Sequence, residues 1–156
     1  MFSHKSKFFS DLKSSVNRRK FEKIALDKLK KDFLEDTFKL LETINLWFQD
    51  SLVASRVDGF LLDIDGEEHT TSILTLCCET RSIRIEPHSF VNDDYSTGIL
   101  QVTVDNPDNF KEPVVFYLHW KTKTFPKVDW MIVQADKKNK VFSEDAFFEL
   151  ILPFTL

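Results

Sequence analysis

Glycine and cysteine are scarce in this chain, with three glycines and two cysteines among 156 residues. So few glycines leave few places where backbone can approach a phosphate closely, and no glycine-rich nucleotide loop is present. Cys77 and Cys78 are adjacent in a run that reads as a strand, so they point to opposite faces and no disulfide between them is expected. Reduced thiols and a cytoplasmic location follow. No segment approaches 18 uncharged apolar residues, and the first ten residues lack an apolar run of signal-peptide length. A membrane partner and export by the general route are therefore not expected.

Catalytic signatures are missing as well. No His, Cys or Glu pair has the HExxH or CxxC spacing that places a zinc on one element, and His69, His88 and His119 stand apart, so neither metal nor cofactor is expected. No Gly-x-Ser-x-Gly elbow offers a nucleophile. Were they gathered, Asp63, Asp65, Glu79 and Asp129 could hold Mg2+ with Lys121 near an attacked phosphate, but they read better as decoration on the solvent face of a sheet. The question of an enzyme is thereby turned towards no.

What the chain does have is phenylalanine, 16 in all, and an uneven charge. The net charge is −4, yet residues 1–33 hold ten Lys or Arg against four Asp or Glu, while the rest hold eleven against twenty-one. A basic N-terminal stretch precedes an acidic body.

From Arg18 to Arg56 there is no Gly or Pro, and Leu26, Leu29, Phe33, Leu40, Ile44 and Trp47 recur at helical spacing. A second stripe, Leu34, Phe38, Leu41, Phe48 and Leu52, widens the apolar arc in the C-terminal half. This predicts a long helix over 18–56 whose second half is the spine of the core. Ser14, Ser15 and Asn17 predict a break that sets residues 1–17 apart as a short helix or arm. A straight helix of that length, roughly 55 Å, outruns a 156-residue domain about 40 Å across. It must bend near Glu35 to Thr37 or extend beyond the body.

After Asp58-Gly59 the period changes to two. Alternation and turn residues predict about six antiparallel strands over 60–135, opening with Phe60–Ile64 and an Asp65-Gly66 turn. Ile83 and Ile85, then Leu100, Val102 and Val104, then Val114, Phe116, Leu118 and Trp120, should face inward. Trp120 and Trp130 should meet across a hairpin. Lys137-Lys138-Asn139-Lys140 reads as a solvated loop, and Ser143-Glu144-Asp145 caps a terminal helix over 143–152. The fold class is α+β: one domain, with a long N-terminal helical segment against a curled, mainly antiparallel meander.

On this pattern the chain reads as a non-enzymatic cytoplasmic protein-binding module, of the inhibitor, immunity or chaperone kind found in bacteria or phage. Its acidic body would meet a partner protein through Asp93, Asp94, Tyr95, Asp105 and Asp108. One alternative is a small-molecule or enzymatic pocket in the cone between helix and sheet, with His119 or Asp129 turned inward. Another is nucleic acid on the basic face of Arg18, Arg19, Lys20, Lys23, Lys30 and Lys31. Two long helices crossing through Leu26, Leu29 and Phe33 would make a homodimer.

Overall fold

The computed structural model describes residues 3–64, 66–90, 97–123 and 127–156. The fold is α+β, with a long N-terminal helix, a seven-stranded antiparallel open sheet and a short C-terminal helix. The chain divides into two units, residues 1–32 and Phe33–Leu156.

Helix α1 (His4–Trp47) is a single α-helix. Ser3 Oγ accepts from the Ser6 N–H at 3.2 Å and so satisfies a donor of the first turn. The expected break at Ser14 to Asn17 is not there: each of those residues costs only about half a kcal/mol of helix propensity, too little against good helix formers on both sides. Nor does the helix reach Ser55. Asp50 takes φ 56°, Ser51 Oγ donates to Phe48 O at 2.7 Å, and the Val53 N–H donates to Ser51 Oγ, which turns the chain out of the helix.

In the first unit no side chain from Ser3 to Leu29 is buried. In the second unit the helix buries Phe33, Thr37, Leu40, Leu41 and Ile44, followed by Phe48 just beyond its end. Of the second predicted stripe Leu41 and Phe48 join the core, whereas Phe38 and Leu52 are exposed, so the apolar arc is narrower than its sequence suggests.

The sheet is a plain meander in the order β1 to β7: β1 (Ala54–Ile64), β2 (Glu67–Cys78), β3 (Arg81–Phe90), β4 (Gly98–Asp105), β5 (Val114–Trp120), β6 (Trp130–Val133) and β7 (Lys140–Val141). Strand β1 begins six residues before the predicted Phe60, because Ala54 to Gly59 pair with Cys77 to Ser72 although they show no clean alternation of their own. The seventh strand arises where a solvated loop was expected. Lys140 and Val141 pair with Ile132 and Met131, too short a stretch to announce itself by periodicity. At the first hairpin Ile64 pairs with Glu67 and Gly66 sits at φ 81°, consistent with a two-residue turn; Asp65 lies outside the described residues.

Alternation in β3, β4 and β5 is realised as predicted, except that Val114 at the start of β5 is only half-buried. Ile83, Ile85, Leu100, Val102, Val104, Phe116, Leu118 and Trp120 are all buried. Register arranges them in rows across the sheet: Leu76, Ile83, Val104 and Val114; then Leu74, Ile85, Val102 and Phe116; and at one end Gly98, Trp120 and Trp130. Aromatic rings close the interior at both ends. Phe33 lies 5.4 Å from Trp120 and 6.0 Å from Phe90, while Phe147 lies 5.9 Å from Trp47 and from Phe142 and 6.4 Å from Phe116.

Phe147 belongs to α2 (Glu144–Leu150), which Ser143 starts by accepting the Ala146 N–H at 3.1 Å. A 3-10 turn (Leu152–Thr155) follows. Long-range bonds hold that turn and the residue after it to the body: Asn106 Nδ2 donates to Pro153 O at 3.0 Å and to Leu156 O at 2.8 Å, Asn109 Nδ2 also donates to Leu156 O, and Arg81 donates to Phe154 O at 2.9 Å.

Candidate functional site

Large aromatic side chains lie in the core between helix and sheet. Phe33, Phe116, Trp120 and Phe147 are the largest fully buried side chains and occupy its length. Asp129 is exposed, and His119 stands on the opposite face of β5 from buried Leu118 and Trp120. The inward-facing polar groups that the pocket reading required are therefore not at these positions.

Of the residues singled out for partner contact, Asp105 and Asp108 fall among the described residues. Asp93, Asp94 and Tyr95 lie outside the described residues. Asp105 ends β4 at the far end from Gly98 and is half-buried, and Asp108 is exposed but accepts from Thr80 Oγ1 at 2.7 Å. That bond ties the β4–β5 connection to the β2–β3 turn, which gives the Asp108 carboxylate a structural task. On the basic face, Arg18, Arg19, Lys20, Lys23 and Lys31 are exposed, with Arg18 3.8 Å from Glu22. Lys30 departs from the expected strip: it is 3% exposed, on the helical face it shares with buried Thr37 and Leu41 at i+7 and i+11. The Mg2+ arrangement also fails to form as a cluster. Asp63 and Glu79 stand near opposite ends of the 12-residue strand β2, roughly 36 Å apart at the usual rise. Among the described residues no three His, Cys, Asp or Glu side chains could hold one metal ion.

A different group of residues does come together. At the end of the body marked by the Trp120–Trp130 pair, a shallow cleft of about 250 Å3 is lined by Asp36, Lys39, Leu40 and Thr43 of α1 and by Asp129 and Trp130 at the start of β6. The four helix residues stand at i, i+3, i+4 and i+7, one face of the helix. Asp36 is half-buried and accepts from the Trp120 indole Nε1 at 3.0 Å.

The facing wall is built by the β5–β6 turn. Lys121, at φ 46°, donates its N–H to Asp129 O at 2.8 Å, and the Val128 N–H donates to Thr122 Oγ1 at 2.9 Å. Lys121 Nζ lies 4.8 Å from the Trp120 ring centroid, so a cation already rests on an indole face beside the cleft.

Two carboxylates, one indole and one leucine line this cleft with Lys39, and Lys121 stands beside it; the carboxylates and the apolar wall can take a cationic side chain. Its alkyl stem can lie on Leu40 and Trp130 while its charged head reaches Asp36 and Asp129. Sequence reasoning passed over Asp36, although a signal was there. Asp36 sits within the apolar stripe, i+7 from Leu29, i+3 from Phe33 and i−4 from Leu40, where a charge requires a partner. Its partner, Trp120, is 84 residues away in the chain. Comparison with protein-family models, curated proteins and solved structures finds no match.

Proposed function

We propose that the protein is a non-enzymatic protein-binding module, of the inhibitor, immunity-factor or chaperone kind and resident in the cytoplasm, whose acidic body receives a lysine- or arginine-rich segment of a partner. The observation that carries this reading is the cleft itself, where Asp36, oriented by Trp120, and Asp129 flank Trp130. Its supports are physical. A carboxylate already oriented by an indole N–H loses less freedom when it meets a cation. No acidic residue of the described body is buried, so its excess negative charge acts on the surroundings and draws in basic partners.

A direct test is titration of 15N-labelled protein with a hexalysine peptide. Saturable shifts should centre on the Trp130 indole N–H and the amides of Lys39, Thr43 and Asp129, weaken with added salt, and lose at least tenfold in affinity in Asp129→Asn. Absence of saturable shifts, or shifts confined to surfaces away from this cleft, would remove the reading. Affinity purification from the protein's own cells, with nuclease treatment, then identifies the partner that Asp129→Asn fails to retain.

A further inference from the structure

We propose that the first unit docks on an anionic lipid surface through the strip formed by Phe8, Phe9, Leu12 and Val16. The continuity of α1 is what creates this strip, since a break at Ser14 to Asn17 would have cut Val16 and the following cations away from it. On the uninterrupted helix the four side chains stand at i, i+1, i+4 and i+8, covering about 100° of its circumference. All four are exposed, Phe8 at 62% and Phe9 at 57%, and the two rings pack edge to face at 5.2 Å. Within residues 4–20 the exposed large apolar side chains gather on this one face, which marks an interaction surface; Phe21 and Ile24 are exposed elsewhere on the helix.

Charge identifies the occupant. Residues 4–20 carry six Lys or Arg and one acid, Asp11, a net +5 with His4 neutral. Lys13 and Lys20 border the strip, while Lys7 and Arg18 lie across the helix from it. A protein groove would engage only the cations at the strip's margin. A planar layer of anionic headgroups acts on every charge within a Debye length, about 10 Å, which is comparable to the 10–12 Å diameter of a helix. The cations on the far side thus add to binding on an extended anionic lipid surface and contribute less in a narrow groove. The same pattern disfavours pairing of this strip with a second copy, because two such segments would each bring +5. No helix is long and apolar enough to cross a membrane among the described residues, so the geometry is that of a helix lying in the interface with its rings among the headgroups.

The test is co-sedimentation of the full chain with vesicles of phosphatidylcholine alone and with about 30% phosphatidylserine, at low and at high salt. Binding should require the anionic lipid and fall at least tenfold at high salt. Leu12→Ala, which preserves helix propensity, and the pair Phe8→Ser/Phe9→Ser should each weaken it. Lys13→Glu/Lys20→Glu should weaken it at least tenfold, while far-UV circular dichroism shows the helix intact. No binding to anionic vesicles at low salt would overturn the proposal, as would equal binding to both vesicle types or binding indifferent to the phenylalanine pair. Retention by an acidic protein in the absence of any vesicle binding would do the same. Asp129→Asn should leave vesicle binding unchanged, which separates this proposal from that for the body.

Discussion

Gly98 leaves vacant the space that the ring of Phe33 fills. A Cβ at position 98 would come within 2.5 Å of two ring carbons of Phe33 and 2.9 Å of a third. Phe33 is fully buried and is hemmed in by Phe90, Trp120 and Trp130, so its ring has nowhere to swing. Strand β4 must begin with a residue that has no side chain if the helix is to settle on the sheet here.

Gly98→Ala should therefore destabilise the body by about 1–3 kcal/mol through overpacking, although alanine is otherwise harmless in a strand. Phe33→Leu should lose packing on its own but recover part of that cost when combined with Gly98→Ala. Urea unfolding of the two single variants and the double variant gives the coupling. Strict additivity would refute the contact as the cause.

The Trp120–Asp36 bond separates two variants that remove the same charge. Asp36→Ala strips the indole N–H of its acceptor inside the structure and should cost about 1–3 kcal/mol. Asp36→Asn keeps an acceptor oxygen and should cost distinctly less. Equal losses in chemical denaturation would show that the charge, not the hydrogen bond, is what matters.

At the other end of the body, Phe147→Ala should be among the most damaging substitutions, about 3–5 kcal/mol, because it empties a fully buried site ringed by Trp47, Phe116, Phe142 and Phe148. Ser143→Ala removes only the cap of α2 and should cost about 1 kcal/mol. A thermal unfolding series ranks the two, and a cap loss as large as the ring loss would contradict this account.

Asn106 is 1% exposed, and its amide holds the 3-10 turn at two carbonyls, those of Pro153 and Leu156. Asn106→Ala should release that turn and raise amide hydrogen exchange at Ile151 and Phe154 before exchange rises in β3 to β5. Unchanged protection at those two amides would mean that packing of Phe154, not the amide, secures the turn.

Much of the fold was legible because its signals are local. The inward rows of β3 to β5, the facing of Trp120 and Trp130 and the Ser143 cap each follow from spacing of a few residues. The limits follow from the same fact. Strand β1 starts at Ala54 because β2 supplies partners, and β7 exists because β6 does; neither segment carries a pattern sufficient to call up a strand alone. The candidate site was harder to see. Asp36 and Asp129 look like ordinary surface acids until α1 and the β5–β6 turn bring them to one cleft, and Asp105 and Asp108, which look like a patch in sequence, sit at the far end of β4.

The amino-acid sequence by itself determined the α+β class, the faces of helix and strands, and the opposition of a basic first segment to an acidic body. All of these are set by residue identity and by periods of 3.6 and 2. Only the tertiary structure decided that Phe33 needs Gly98, that Asp36 meets Trp120, that Lys30 leaves the exposed strip and that one helix runs unbroken through Ser14 to Asn17. The contacts among these depend on residues far apart in the chain, and the unbroken helix on a balance of small propensities, neither of which a local pattern records.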